Sequence, residues 1–145
     1  DDVLVYSEGG RWATRYTDVP LKAVYPFGFG LTYTEFRYSE ESAAVVGDEV
    51  VLSARIANVG KRRGSEVVQA YVRDRVAEVS RPRRELKGFV RVELAPGESR
   101  RVEIRVPRAE LAYWANGRRT EATGEFLAWI APDSDSGRRL SFTLP

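Results

Sequence analysis

The distribution of apolar and polar positions marks a series of short segments from about residue 35 onward. Every even position from 50 to 56 is apolar, and valine or isoleucine alternates with arginine or glutamate over 101–106. A period of two residues is typical of a strand with one buried face. Together with apolar runs bounded by turn residues, the pattern predicts strands at 35–39, 50–57, 67–74, 86–94, 101–106, 124–131 and 140–144.

Turn residues separate these segments, and helix signals are scarce. Glycine with aspartate or asparagine interrupts the apolar pattern at 47–48 and 58–60, and 107–114 is the one stretch that predicts a helical turn. Gly88 falls inside a predicted strand, which is typical of a β-bulge. Seven short strands without a long helix predict an all-β fold, a seven-stranded antiparallel β-sandwich over residues 35–145.

The N-terminal 34 residues have a different texture. Nine of the 16 aromatic residues precede residue 39, among several glycines and prolines, and the apolar positions follow neither a strand nor a helix period. This pattern predicts an irregular N-terminal extension that lies over another surface.

Composition and charge exclude several classes of chemistry. The 145 residues carry 23 basic and 21 acidic side chains, for a net charge of +2, and include no cysteine or histidine. Disulfides, thiolate nucleophiles, Ser-His-Asp triads and histidine-ligated metals are therefore excluded within this sequence. No apolar run approaches the roughly 20 residues of a membrane span. The chain starts at Asp1 rather than at methionine, which suggests a fragment or a processed product, and the sequence indicates no compartment.

Several short sequence motifs, taken in their order along the chain, resemble those of a known protein family. Residues 25–34 read YPFGFGLTYT, residues 64–72 read GSEVVQAYV, and residues 85–89 read ELKGF. The first is similar to the YPFGxGLSYT segment of family 3 glycoside hydrolases, the β-glucosidases and β-xylosidases, with Thr32 where serine is usual. The YSEG and RYTD words near the N-terminus, and PGES at 96–99, also resemble that family.

The resemblance implies a division of the chain and a function. Residues 1–34 would be the tail of a preceding α/β sandwich domain and a linker, and 35–145 a fibronectin type III-like domain. In that family the catalytic carboxylates lie in the barrel and α/β sandwich domains, and the Ser-Asp-Trp nucleophile word is missing at Asp135. We therefore expect a non-catalytic module with no catalytic residue, metal or cofactor. Its partners would be the catalytic domains of the same retaining β-glycosidase.

Aromatic and basic side chains are the candidates for contact with another domain or a ligand. An aromatic ring can stack on a sugar or pack against protein, and we favour packing. Scattered arginines among 21 acidic residues favour domain docking over nucleic-acid binding. The candidates are Trp12, Tyr16, Tyr25, Phe27, Phe29, Tyr33, Arg81, Arg83, Arg84 and Trp129.

Two alternatives remain open at this level. Either Phe126, Ala128 and Ile130 face the core and leave Leu127 and Trp129 on an exposed outer surface, or the phase is reversed and Trp129 is a core residue. The competing interpretation of the chain is a free-standing carbohydrate- or protein-binding module, with a β-linked oligosaccharide as its partner. Hydrolysis would need a pair of carboxylates. The available pairs are expected to be solvated, in turns or at strand ends: Glu40-Glu41, Asp48-Glu49 and Asp133 with Asp135.

Overall fold

The computed structural model of the chain describes residues 3–6, 12–15, 25–75, 84–115 and 117–145. Within them the chain is almost entirely extended. The strands are β1 (Val3–Tyr6), β2 (Trp12–Arg15), β3 (Phe36–Val46), β4 (Glu49–Asn58), β5 (Gly64–Asp74), β6 (Glu85–Leu94), β7 (Ser99–Pro107), β8 (Tyr113–Ala115), β9 (Arg118–Thr120), β10 (Gly124–Ala131) and β11 (Leu140–Leu144). A single 3₁₀ turn, Arg108–Leu111, follows β7 in this part of the chain.

Seven of these strands form two antiparallel sheets that pack face to face. The strand order is β11-β10-β5-β6 in the four-stranded sheet and β3-β4-β7 in the three-stranded sheet. The predicted all-β, seven-stranded β-sandwich is therefore confirmed. Two short hairpins, β1–β2 and β8–β9, are additional to it.

The core forms where period-two segments from both sheets meet. The even positions of β4, from Val50 to Ile56, are fully buried, and β7 contributes Val102, Ile104 and Val106 from the adjacent strand. Burial of one such side chain stabilises a fold by about 1.5–3 kcal/mol, so this stripe supplies much of the driving force for sheet packing. The facing sheet contributes Val68, Ala70, Val72, Val92, Leu94, Phe126, Ala128, Ile130, Phe142 and Leu144.

The prediction for the first strand, 35–39, is wrong in length. β3 continues to Val46, because a register shift between Ser39 and Ser42 lets the strand resume pairing with β4. Glu40 lies in this bulge with φ of 54°, a conformation that non-glycine residues rarely adopt. The bulge interrupts the alternation, which is why the pattern ended at residue 39.

Of three further predictions, the structure corrects two and confirms one. The N-terminal extension is not wholly irregular, because β1 and β2 pair as a hairpin. The helical turn at 107–114 shortens to the 3₁₀ turn and is followed by β8. The predicted bulge at Gly88 is confirmed by a register shift after its pairing with Ala70, and a side chain there would lie 2.6 Å from Ile104 Cγ2.

Candidate domain-docking site

The segment that enters the sandwich, residues 25–35, is tied to it at both ends and is here called the strap. At its first end, the Gln69 amide donates to Gly28 O at 3.2 Å and to Pro132 O at 2.5 Å. Ser134 N donates to Phe27 O at 2.9 Å. The Gln69 carbonyl oxygen accepts the Tyr71 hydroxyl at 2.5 Å, which fixes the amide orientation. Side chains of β5 thereby satisfy backbone groups of the strap.

Gly28 allows this close approach. Its φ is +81°, and a Cβ atom would collide with the Gln69 side chain and lie 2.8 Å from the Tyr71 hydroxyl. Only glycine combines this backbone conformation with contact at such short range. By contrast, a Cβ at Gly30 would meet nothing within 4 Å.

Asn58, which is buried at the end of β4, holds the other end of the strap. Its side-chain oxygen accepts the Thr34 hydroxyl at 2.8 Å, and its amide donates to Leu94 O at 2.9 Å and Arg62 O at 2.7 Å. Val59 N adds a backbone bond to Glu35 O at 2.9 Å. One buried side chain thus joins the strap to the neighbouring loops.

The strap exposes its side chains although its backbone is held. Phe27, Leu31 and Tyr33 are 68%, 91% and 90% exposed, and Tyr25 and Phe29 are also exposed. The rings of Tyr25 and Phe29 contact each other with centroids 5.1 Å apart. A backbone held by hydrogen bonds beneath exposed aromatic side chains is typical of an interaction surface.

A cavity of about 440 Å³ lies beneath the strap, and buried polar groups line its floor. The Tyr38 hydroxyl donates to Glu66 Oε1 at 3.1 Å across the two sheets. Burial raises the pKa of Glu66, and the nearby Asp133 raises it further, while the Tyr38 hydrogen bond opposes both. Burial, together with Glu66, also raises the pKa of Tyr38 far above its usual range. This pair links β3 of one sheet to β5 of the other.

Trp129 lies on the outer surface of the four-stranded sheet but is only 6% exposed. Phe126, Ala128 and Ile130 lie on the core side of β10. Of the two alternatives for this strand, the one that places Trp129 on the outer surface is therefore correct, and the one that places Trp129 in the core is wrong. The Arg84 guanidinium lies 4.1 Å above the indole ring and donates to Ser136 O at 2.6 Å. The exposed outer surface that this alternative implied is not found at Trp129, because the Arg84 guanidinium covers its ring.

The structure brings together part of the predicted set. Tyr25, Phe27, Phe29 and Tyr33 share the strap, and Arg84 and Trp129 stack on the outer surface of the four-stranded sheet. Trp12 begins β2; its indole, like Tyr16, Arg81 and Arg83, lies outside the described part of the chain.

The anchoring residues Asn58, Gln69 and Tyr71 were missed as site residues. Asn58 stands at the 58–60 turn, and Gln69 and Tyr71 lie within the GSEVVQAYV motif. A polar residue among apolar neighbours was the available signal.

The outer surface of the three-stranded sheet is charged and internally paired, and is here called the ion-pair face. Glu40 accepts Arg55 Nε at 3.1 Å and lies 3.8 Å from Arg101. Arg105 lies 3.2 Å from Glu49 and 3.6 Å from Glu103. Two of the candidate carboxylates therefore form ion pairs within the sheet.

Asp133, another candidate carboxylate, accepts hydrogen bonds from its own loop. Its Oδ1 accepts Asp135 N and Ser136 N at 2.9 Å each, and Oδ2 accepts the Ser136 hydroxyl. The prediction that it is a solvated turn residue is wrong, because it is buried. Among the described residues no group of three potential ligands could hold a metal ion, and none of their helices is long and apolar enough to cross a bilayer.

Comparison with known proteins agrees with this architecture. Residues 66–134 match the family described as fibronectin type III-like domain. Thermostable beta-glucosidase B of Acetivibrio thermocellus is 39% identical over 141 residues, which are 92% of this chain and 19% of that enzyme. The periplasmic beta-glucosidase of Salmonella typhimurium is 36% identical over 139 residues, 92% of this chain and 18% of that enzyme.

Solved structures give the same result. Beta-glucosidase from Listeria innocua superposes with a TM-score of 0.82 at 27% identity, over 94% of this chain and 20% of that one. A beta-glucosidase from Erythrobacter marinus gives 0.81 at 34% identity, over 90% and 18%. The chain thus spans about a fifth of the length of the relatives that it matches.

Fold and site together define a two-sheet β-sandwich module that carries an exposed aromatic segment at its N-terminal entry. Its strand order, its matched segment and its structural neighbours all point to one group of proteins. The chain belongs to the fibronectin type III-like domains found in family 3 glycoside hydrolases.

Proposed function

We propose that this chain stabilises a β-glucosidase-like glycoside hydrolase by docking onto its catalytic domains and shaping the rim of its substrate cleft. The observation that carries the proposal is the strap. Its backbone accepts hydrogen bonds at Phe27, Gly28 and Glu35, and the Thr34 hydroxyl donates to Asn58. Leu31 and Tyr33 are nevertheless almost fully exposed. Interfaces between domains of one chain use such aromatic anchors.

The chemistry of the whole protein would reside outside this module. The relatives are named beta-glucosidases, and the chain covers about a fifth of their length. We propose that the whole protein is a retaining hydrolase of terminal β-linked glucose or xylose. A barrel and an α/β sandwich domain would supply the two carboxylates that this reaction uses.

A matched pair of double variants in the complete polypeptide tests the docking. Leu31→Ser with Tyr33→Ser removes two strap anchors, and Val45→Ser with Val46→Ser removes two exposed apolar residues at the distant β3 end. We expect the strap variant to hydrolyse an aryl β-glucoside at nearly the normal initial rate but to lose activity faster on heating. The β3 variant should behave as wild type. Equal heat inactivation of the two variants would contradict the proposal.

A carbohydrate-binding role is the second candidate, and the exposed Tyr25–Phe29 ring pair favours it. Adjacent rings can stack on the apolar face of a sugar. Titration of this chain with cello-oligosaccharides, β-glucan and xylan, repeated with Tyr25→Ala and Trp12→Ala, decides between the two. Saturable binding that the variants lose would favour carbohydrate recognition. We expect no saturable binding, and no release of nitrophenol from an aryl β-glucoside by this chain.

A further inference from the structure

The apolar side chains that the described residues leave exposed are concentrated on one side of the module. Eight of the eleven exposed large apolar residues belong to the strap or to the outer surface of β5 and β6. Those on the two strands are Val67, Leu86 and Phe89, and Phe89 is 68% exposed. A grouped apolar surface of this kind indicates an interface, whereas scattered apolar residues do not.

The strand residues adjoin the strap through Gln69. Phe89 lies opposite Gln69 in the β5–β6 register, and the Gln69 amide binds Gly28 O of the strap. Opposed residues in a sheet have Cβ atoms about 5 Å apart. Val67 lies two residues before Gln69 and so takes the same side of β5. The strap, Val67, Leu86 and Phe89 therefore form one continuous surface, here called the aromatic face.

The polypeptide that precedes Tyr25 is the occupant that the structure favours. It enters the module at the start of the strap, so it is tethered beside the aromatic face. Tethering gives a partner a high effective concentration, which favours intramolecular docking over capture of a second copy. The relatives contain about five times the length of this chain, so enough polypeptide exists to cover the surface.

The opposite side of the sandwich is a poorer interface. On the ion-pair face, Glu40, Glu49 and Glu103 each lie within 4 Å of an arginine of the same sheet. Covering these groups would remove water from charges that are already paired, at a cost that a partner must offset. The aromatic face carries less charge: Arg91 lies opposite Val67 and a Lys87–Glu85 pair flanks Leu86, but Phe89 and the exposed apolar side chains of the strap are uncharged. Covering those uncharged side chains removes no water from a charge.

We propose that the docking surface extends beyond the strap onto the sheet, with Val67 and Phe89 in direct contact with the upstream domain of the same polypeptide. This inference rests on the proposed docking function but adds to it the face that docks and the residues that touch. It also assigns the ion-pair face to solvent. The module is thus held by one broad surface rather than by its linker alone.

Thiol labelling in the complete polypeptide tests the proposal, because this chain has no cysteine of its own. Val67→Cys is the probe, and Val46→Cys is its matched control, since the two valines are 42% and 54% exposed in the module. Leu31→Cys reports on the strap. Maleimide labelling rates would be measured by mass spectrometry over a range of protein concentrations, with labelling in urea as the reference for full access.

We expect Val67→Cys and Leu31→Cys to react about tenfold or more slowly than Val46→Cys at every dilution, because interface cores exclude water. If Val67→Cys reacts like the control while Leu31→Cys is protected, docking involves the strap but not the sheet. The present inference then fails, whereas the proposed docking function stands. If both react like the control, the docking function fails as well. Protection that disappears on dilution would show that a second copy covers the surface, which overturns the proposal. Equal protection of all three cysteine variants would show that docking does not favour the aromatic face, which overturns it too.

Discussion

The aromatic face lies on the side of the four-stranded sheet and the ion-pair face on the three-stranded sheet of one sandwich, and the two differ in how much apolar side chain they expose. On the ion-pair face, Arg105 and Arg55 are paired with carboxylates of neighbouring strands and remain about half exposed. On the opposite side, Tyr71 and Trp129 are covered by the module itself, while Phe89 and the strap side chains are uncovered. The outer surface of the three-stranded sheet is therefore charged and solvated. The outer surface of the four-stranded sheet carries apolar side chains in addition to those of the core.

The difference is visible in the strands themselves. β7 alternates strictly, because its outer residues face solvent. In β10 every residue from Phe126 to Ala131 is apolar, because the outer side is covered by Arg84 and neighbouring segments. A strand buried on both sides therefore marks the side of the sandwich where other polypeptide lies. Over Trp129 that polypeptide belongs to the module itself, so the proposed docking face depends on Val67, Leu86 and Phe89, which stay exposed on the same sheet.

Removal of the Asn58 side chain should have the largest effect, because it detaches the strap from below. Asn58→Ala leaves the buried Leu94 carbonyl without its donor and releases Thr34. We expect the free energy of unfolding of this chain to fall by about 3 kcal/mol, since several buried hydrogen bonds are lost together. Urea unfolding followed by circular dichroism measures the loss.

Thr34→Ala is the control for that variant, because it removes the bond between the strap and Asn58 but leaves the Asn58 bonds to Leu94 and Arg62 in place. One hydrogen bond contributes about 1 kcal/mol, so the control should lose roughly a third as much stability. An Asn58→Ala protein as stable as the Thr34→Ala protein would show that the strap is held mainly by other contacts.

Substitution of Gly28 tests the other end of the strap. Gly28→Ala forces a side chain into a backbone with φ of +81° and against Gln69. Strain and overpacking together should cost about 2 kcal/mol. Gly30→Ala, made two residues away where a Cβ meets nothing within 4 Å, should change stability by less than about 0.5 kcal/mol. Equal melting temperatures for the two variants would refute the proposed role of Gly28 at this anchor.

The same contrast explains how much of the molecule could be predicted. The 101–106 strand and the core side of 50–57 follow from alternation, since each has a single buried side and the hydrophobic period shows it directly. The phase of Trp129 could not be decided from alternation, because both sides of β10 are apolar. The length of β3 was missed because the bulge at Glu40 shifts the register.

The contact role of the candidate residues stays a prediction, and the residues that hold the strap were not predicted. The aromatic density before residue 39 indicated a contact surface, and the strap carries it. Gln69 and Gly28 are 41 residues apart in the sequence, so their contact depends on the packed sandwich and not on any local pattern. The division of the chain at residue 34 stays a prediction, although the strap residues Thr34 and Glu35 both bind the end of β4 and the residue after it.

Replacement of Glu66 contrasts a buried carboxyl with the exposed ones of the ion-pair face. Burial and Asp133 raise the pKa of Glu66 above 4.5 in the folded state, so between that value and the raised pKa the folded protein binds more protons than the unfolded one. Stability contributed by this group is therefore complete below about pH 4.5 and is lost as the pH rises through the window. Glu66→Gln keeps an oxygen to accept the Tyr38 hydroxyl and removes the charge.

We expect the melting temperature of Glu66→Gln to match that of the wild type near pH 4 and to exceed it increasingly toward neutral pH. Thermal unfolding across this range measures the difference between the two curves. Glu103→Gln on the ion-pair face is the comparison, because its carboxylate pairs with Arg105 in a half-exposed position. A constant difference between Glu66→Gln and wild type at all pH values would show that the Glu66 carboxyl is not perturbed by burial.

Loss of a cation from the ion-pair face should have the smallest effect. Arg105→Gln breaks contacts with Glu49 at 3.2 Å and Glu103 at 3.6 Å, but all three side chains are at least 40% exposed. Exposed pairs contribute about 0.5 kcal/mol, so the free energy of unfolding should fall by that amount in dilute buffer. In about 1 M salt the loss should vanish, because the Debye length shrinks to roughly 3 Å. A loss as large as that of Gly28→Ala, or one that salt leaves unchanged, would mean that the ion-pair face holds the fold together, and the physical contrast between the two faces would fail.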